Sequence, residues 1–415
     1  MATVKPFRGL RPKKEFARQV ASPPYDVLDS NEAREMAKGN PYTFLHVNKP
    51  EIDLEPNINL YDEQVYRKGA ENLKSLIGQG ILFQDEKPMF YVYRQIMGNH
   101  VQTGLAACAS VDEYEKNIIK KHELTRQDKE DDRVKHIWYQ NAQVGPVFLT
   151  YHARREIDIL IEQVCQGTPE YDLTSDDGVR HTLWVVSDGA HIRQITNEFG
   201  KIDYLYVADG HHRSAAAQRV RDMKRKENPH HTGEEEYNYF LTVIFPHDQM
   251  QILDYNRVVK DLNGLSKEDF LRKIEQNFEI RKAETNAPYK PGKAHEFGMF
   301  LDSQWYQLTA RPGSFDRNDP VSRLDVSILQ ENLLAPVLGI GDPRKDKRID
   351  FVGGIRGLKE LEKRVNSGAW QVAFALFPTS IDDLMAIADA GKTMPPKSTW
   401  FEPKLRSGLV VHLLD

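Results

Sequence analysis

The chain has 415 residues, with 56 basic and 61 acidic side chains, a net charge of −5 and a hydrophobic share of 40%. That length allows two or three domains, each able to bury its own core, and the acidic balance argues against a surface built for nucleic acid. Cys108 and Cys165 are the only cysteines, too few for a disulfide framework or a cysteine-rich zinc site. No stretch approaches the roughly 18–20 apolar residues of a membrane helix. The opening segment MATVKPFRGLRPKKEF has no apolar signal core, so a cytoplasmic protein with no membrane partner is expected.

In chain order, the paired prolines of ASPPYDVLDS forbid helix there, and Asp29 or Ser30 can cap the helix NEAREMAKGN that follows. A second helix is expected from Tyr61 to Ile77. Two alternating strands, Met89–Met97 and Val101–Val111, meet at a Gly98-Asn99 hairpin turn. Residues 1–111 thus read as an N-terminal α+β region. The middle region, 112–264, alternates in type: a helix ending near HIWYQN, the strand GPVFLTY, the helix EIDILIEQVCQG, the strand HTLWVVSD and the helix AHIRQITNEFG. After them YLYVADGHHRSAAAQRVRDMKRKEN reads as strand, tight turn and helix. KRKENPHHTGEEEYN reads as a loop, and YFLTVIFP with QILDYNRVV as a strand pair. The third region, 265–415, mixes helices such as SKEDFLRKIEQNF and SIDDLMAIADAG with strands such as HEFGMFLD, SQWYQLTA and QVAFALFP, and LDVSILQENLLAPVLGI reads as helix up to Pro336. The fold class is α+β, or mixed α/β.

Four segments can carry chemistry. The first is Asp209-Gly210-His211-His212-Arg213, where an apolar strand (Tyr204–Ala208) runs through a turn into a helix. That geometry gathers free backbone N–H groups and the positive end of a helix dipole at one point. Two imidazoles and a guanidinium complete an anion cradle suited to phosphate. Asp209 in this basic setting stays ionised and can hold Mg²⁺ or orient a hydroxyl. The plainer reading is a capped helix whose His-His-Arg faces water. Zinc is disfavoured, because adjacent histidines on a helix diverge and no cysteine or third histidine is close in sequence.

The second is His122-Glu123-Leu124-Thr125. Arg126 stands where a zincin would carry a second histidine, and Glu123 can act as a general base or belong to the cap of the acidic helix DKEDDR. Asp131, Asp132 and Arg133 read as a solvated face. The third is Pro395-Pro396-Lys397-Ser398-Thr399, a rigid approach followed by an amine and two hydroxyls, fit for a carboxylate or phosphate or simply for closing the fold. The fourth, Ser22-Pro23-Pro24-Tyr25-Asp26, is a stiff loop with a carboxylate at its tip, read most plainly as a turn before a helix.

Taken together, SPPYDV, NPYTFLHV, HELT…KEDDR, VADGHHR and MPPKSTWFEPKLRSGLV resemble the free serine kinases, and more closely the bacterial-type branch catalogued as domain of unknown function 1015, over essentially the whole chain. The resemblance implies a core similar to the ParB/sulfiredoxin fold within 112–264, flanked by the N- and C-terminal α+β portions. It implies transfer of phosphate from ATP or ADP, with Mg²⁺, to free L-serine, giving O-phospho-L-serine that can feed cysteine synthesis. Glu123 then matches the catalytic base, and Asp209 the aspartate of the DGHHR turn. Gly210, His211, His212 and Arg213, with His122 and Thr125, fall in the nucleotide site, and Lys397, Ser398 and Thr399 beside the serine. Phe401 and Asn256 depart from the archaeal pattern, which leaves another small hydroxyl compound open as acceptor. A ParB-like nucleotide-binding regulator without kinase activity is the alternative, and it lacks a basic face or helix-turn-helix. Sulfiredoxin-like repair is excluded, since no cysteine precedes the His-Arg pair. A Walker lysine loop is likewise missing.

Overall fold

The computed structural model describes residues 1–284 and 287–415. The chain divides into two compact units, Met1–Met250 with Pro403–Asp415, and Gln251–Glu402. This differs from the three regions expected at 111/112 and 264/265. The hairpin before residue 111 and the strands after it share one hydrogen-bonded sheet, so no boundary of contacts falls there.

In the first unit, β1 (Val4–Lys5), β2 (Phe90–Met97), β3 (His100–Ser110), β4 (Ile119–Lys120), β5 (Val147–Tyr151), β6 (Tyr171–Thr174), β7 (Arg180–Val186), β8 (Leu205–Asp209) and β9 (Tyr239–Pro246) form one sheet. Its order is β4-β8-β5-β9-β3-β2-β7-β6, with β1 also beside β3. The β8–β4 and β9–β5 pairs are parallel. The other pairs are antiparallel. The helices that position the site are α1 (Ser30–Ala37), α2 (Glu63–Gly78), α3 (Gln127–Gln140), α4 (Arg155–Cys165), α5 (Gly189–Phe199) and α6 (His211–Glu227).

Each helix follows from local chemistry. Asp29 caps α1 in a reciprocal box with Glu32. α4 and α5 put Ile157, Ile161, Ile195 and Phe199 against the alternate residues Leu205 and Val207 of β8 and Leu149 of β5. On α6 the run Ala215–Ala217 is fully buried, and its small side chains let Val134 and Ile137 of α3 pack beside Ala216 and Val220. α6 continues to Glu227, into the segment expected as loop. Lys224, Arg225 and Lys226 in its last turn suit the negative end of the dipole.

YFLTVIFP and QILDYNRVV do not pair. β9 is hydrogen-bonded to β3 and β5, whereas Tyr255–Val259 belongs to the second unit's sheet. That sheet comprises β10 (Tyr255–Val259), β11 (Phe278–Lys282), β12 (Glu296–Leu301), β13 (Gln304–Ala310), β14 (Ile349–Gly353) and β15 (Val372–Leu376), in the order β11-β13-β12-β15-β10-β14. Leu361 and Val365 of α7 (Lys359–Asn366) cover Val258, Ala373 and Ala375 of its core. The segment before Pro336 is α-helical over Asp325–Leu329 and widens to a π turn over Gln330–Leu334, as fits a proline that cannot donate to the helix. Strands and helices thus mix in the way the sequence implies, and the class is mixed α/β. Among the described residues no helix is long and apolar enough to cross a membrane.

Candidate functional site

β8 reaches the site through a bulge. Val207 faces Leu149 while Asp209 faces Phe148, so one extra residue is inserted just before the turn, a device that re-aims the strand's last side chain. Gly210 follows with φ 103° and ψ 28°, and α6 begins at His211. Glycine is required there twice over. The backbone is left-handed, and a β-carbon would sit 3.1 Å from Arg213 Nε. The first-turn N–H groups of α6 open at this corner.

Arg213 is fixed by its own side chain, which donates from Nη1 to the Pro146 carbonyl. Its buried Nε has no hydrogen-bond partner in the protein. Asp209 accepts from Lys404 Nζ at 3.2 Å and lies 3.9 Å from Arg213 Nη2. Burial alone would raise its pKa, but the charges of Lys404 and Arg213 hold it well below the usual carboxylate range. Lys404 lies in the closing segment EPKLR, where nothing local in the sequence marks it as a partner of Asp209. Residues 403–415 return to the first unit, pairing Ser407 with Ser22 and His412–Leu413 with Ala142–Gln143.

His211 and His212 diverge, as adjacent helical residues must. His211 meets His122, their Nε2 atoms 3.3 Å apart and their rings edge to face. Both are buried. Burial lowers the His122 pKa to about 4 and pushes His211 well below its ordinary value, so both rings are neutral at pH 7. His212 instead accepts the Arg126 N–H at 3.1 Å through Nε2, and Thr125 Oγ1 donates to Glu130 at 2.9 Å. The first contact ties the start of α3 to the corner, and the second closes the first turn of α3 on itself. Further along α3, Asp132 and Arg133 are buried and not solvated. Tyr66 donates to Asp132 at 3.0 Å, and the Arg133 guanidinium lies 3.7 Å over the Tyr25 ring.

In the second unit the 395–399 segment is a closed turn. Ser398 Oγ donates to the Pro395 carbonyl at 2.6 Å, Thr379 Oγ1 donates to the Ser398 carbonyl at 2.9 Å, and Arg257 Nη2 donates to the Lys397 carbonyl at 2.9 Å. Lys397 has φ 60° and its amine lies 5.5 Å from the Tyr255 ring centre. Thr399 is half-buried next to it. Asn256, fully buried, accepts the Leu376 N–H at 3.0 Å and is committed to the sheet.

The donor set at Asp209 does not fit Mg²⁺. That ion takes oxygen ligands, usually one or two carboxylates with waters and phosphate oxygens, and here an ammonium and a guanidinium already attend the carboxylate. Among the described residues the group able to ligate an ion is His122, Glu123 and His211, whose ligand atoms all lie within 4.8 Å of one another. Two nitrogens 3.3 Å apart match the spacing of about 3.3 Å expected between ligands of a tetrahedral zinc-type ion. The sequence concealed this pair because its partners are far apart along the chain.

Residues 4–327 match the family described as protein of unknown function (DUF1015). The chain belongs to that family. No curated protein matches it. Among solved structures, this DUF1015 chain is similar to a conserved hypothetical protein from Pyrococcus furiosus, with 15% identity, a TM-score of 0.36, and coverage of 73% of this chain and 95% of the other. A free serine kinase in complex with AMP gives 13% identity and a TM-score of 0.36 over 74% and 91% of the two chains. SbnI with a C-terminal truncation, from Staphylococcus aureus, gives 12% identity and 0.36 over 74% and 87%.

Proposed function

We propose that this chain is a nucleotide-dependent kinase that phosphorylates the hydroxyl of free L-serine, giving O-phospho-L-serine. One observation carries the reading: residues 122–123 meet the 209–213 corner, with His122 Nε2 3.3 Å from His211 Nε2 and a Glu123 carboxylate oxygen within 4.8 Å of their ligating nitrogens. An anion docked on the start of α6 therefore has a carboxylate beside it. Phosphoryl transfer asks for little more than fixed phosphates, stabilised charge and an aligned hydroxyl. In the proposed step the serine Oγ forms a bond to the terminal phosphorus of ATP or ADP. The bond from that phosphorus to the bridging oxygen breaks, the shortened nucleotide leaves with the electron pair, and Glu123 takes the hydroxyl proton. Arg213 and the N–H groups of the first turn stabilise the phosphate charge. Asp209 holds Lys404 and Arg213 in register instead of binding a metal. Lys397, Ser398 and Thr399 are assigned to the serine side, with the Lys397 amine for its carboxylate.

The test is incubation of the full chain with ATP or ADP, a divalent salt and serine, followed by mass spectrometry of the products. Glu123→Gln is expected to slow phosphoserine formation by about 10²–10⁴ while nucleotide affinity stays within about twofold. Undiminished product from that variant would remove Glu123 as base. Nucleotide binding without turnover of any small hydroxyl compound would replace the kinase with a nucleotide-binding regulator.

A further inference from the structure

His122 and His211 are buried and meet through their Nε2 atoms, yet neither ring carries a step of the proposed transfer. The topology of the sheet brings them together. β4 and β8 run parallel, with Ile119 beside Leu205 and Lys120 beside Tyr206. Each histidine stands just past the C-terminal end of its strand, so parallel pairing delivers both to the same end of the two strands. His211 is also the first residue of α6, while its neighbour His212 turns away to the Arg126 N–H. The divergence that speaks against zinc between 211 and 212 thus leaves His211 to a histidine 89 positions earlier.

A hydrogen bond between two imidazoles needs only those two groups. Here a third ligating atom converges on them, a Glu123 carboxylate oxygen, with all three atoms within 4.8 Å of one another. The two nitrogens already have the spacing that a tetrahedral ion asks of its ligands, about 3.3 Å for bonds of about 2.0–2.1 Å, against 3.3 Å observed. The carboxylate lies somewhat farther out. Glu123 is exposed and belongs to the loop between β4 and α3, so its side chain can close the remaining distance. The same exposed side admits an ion from solvent and leaves a coordination position open to water. Imidazole suits zinc, copper, nickel and iron, whereas magnesium and calcium take oxygen ligands. Two imidazoles and one carboxylate with an open fourth position are a recurrent donor set for zinc.

We infer that His122, Glu123 and His211 form a binding site for a divalent transition-metal ion of the zinc class, with water in the fourth position. An ion held there takes the carboxylate that the proposed kinase uses as its base. The occupied site is therefore an inhibited one, a consequence that rests on the kinase reading, whereas the binding itself does not.

Calorimetric titration of the chelator-treated full chain with zinc chloride and with magnesium chloride tests the site without turnover. Zn²⁺ is expected to bind at least about a hundredfold more tightly than Mg²⁺. Co²⁺ in its place gives the intense visible absorption of a four-coordinate ion, and Zn²⁺ displaces it. Glu123→Ala, at an exposed position, is expected to weaken zinc binding at least about tenfold, and His211→Ala, checked for folding by thermal melting, at least about a hundredfold. No zinc binding, equal affinity for Mg²⁺, the faint absorption of octahedral cobalt, or unaltered zinc affinity in either folded variant overturns the site. In excess Mg²⁺, one equivalent of Zn²⁺ is expected to slow phosphoserine formation about a hundredfold, the share of a lost general base, and EDTA restores it. Undiminished product with zinc bound overturns the inhibitory role. The two readings fail separately: zinc held by these residues without phosphoserine formation keeps the site and removes the kinase, whereas phosphoserine formation without zinc binding does the reverse.

Discussion

Two turns carry most of the polar motifs, and they are finished in opposite ways. At 395–399 the Ser398 hydroxyl and the carbonyls of Pro395, Lys397 and Ser398 are all engaged within the second unit. At 209–213 the buried Nε of Arg213 and Nδ1 of His211 have no partner in the protein, and Gly210 holds a left-handed backbone to keep the corner open. A turn that consumes its own polar groups is built to keep a shape. One that leaves them buried and unpaired in the protein leaves them to a ligand or to ordered water. Under the proposed function, the phosphate is held at the glycine corner and the proline turn is a framework that carries the Lys397 amine.

The strongest way to break that contrast is Gly210→Ala. The left-handed backbone costs the new side chain ~1–2 kcal/mol of stability, and its β-carbon pushes Arg213 away. Loss of that charge-assisted contact is expected to weaken nucleotide binding about a hundredfold, roughly 3 kcal/mol. Chemical denaturation and calorimetry measure the two parts. An alanine variant that binds nucleotide as well as the parent chain would show that the corner is not the anion site.

Acid sharpens the contrast next. In the folded chain His122 titrates near pH 4, its charged form disfavoured by burial, with neutral His211 against it. Unfolded, each titrates near about 6.5. Between these values the unfolded chain binds more protons, so stability falls as pH drops below about 6.5 and levels off below 4, a loss of about 3 kcal/mol for His122 alone. Denaturation at a series of pH values reads the slope, and His122→Asn removes one proton's share of it. A slope identical in that variant would place the acid sensitivity in other buried histidines, such as His181, whose pKa burial lowers to about 3.

How much of this the sequence revealed depends on distance along the chain. The 209–213 corner was legible because strand, glycine and helix are contiguous, and Asp29 because a cap acts on its own helix. The His122–His211 and Asp209–Lys404 contacts join residues 89 and 195 positions apart, beyond the reach of periodicity. α3 misled for a related reason. Its charge pattern reads as a wet surface, but Asp132 and Arg133 are buried by Tyr66 and Tyr25, which arrive from the first regions of the chain. The unit boundary was hidden likewise, because residues 403–415 rejoin the first unit only through long-range pairing.

Smaller effects probe the proline turn. Ser398→Ala removes the hydroxyl that holds Pro395, at a cost of about 1 kcal/mol, with nucleotide affinity unchanged. Calorimetric loss of nucleotide binding in that variant would give the turn a part in recognition that its saturated bonds deny.

Lys397→Gly has the smallest expected effect on stability and separates framework from ligand contact most cleanly. With φ at 60°, Lys397 sits where glycine is at ease, so the variant should gain a few tenths to about 1 kcal/mol once glycine's greater unfolded freedom is set against the relieved strain. If the amine anchors the serine carboxylate, the same change raises the KM for serine about tenfold and leaves kcat in place, the pattern of a lost uniform binding contact. A more stable enzyme with an unaltered KM would make the lysine part of the frame, and the contrast between the two turns would then be complete.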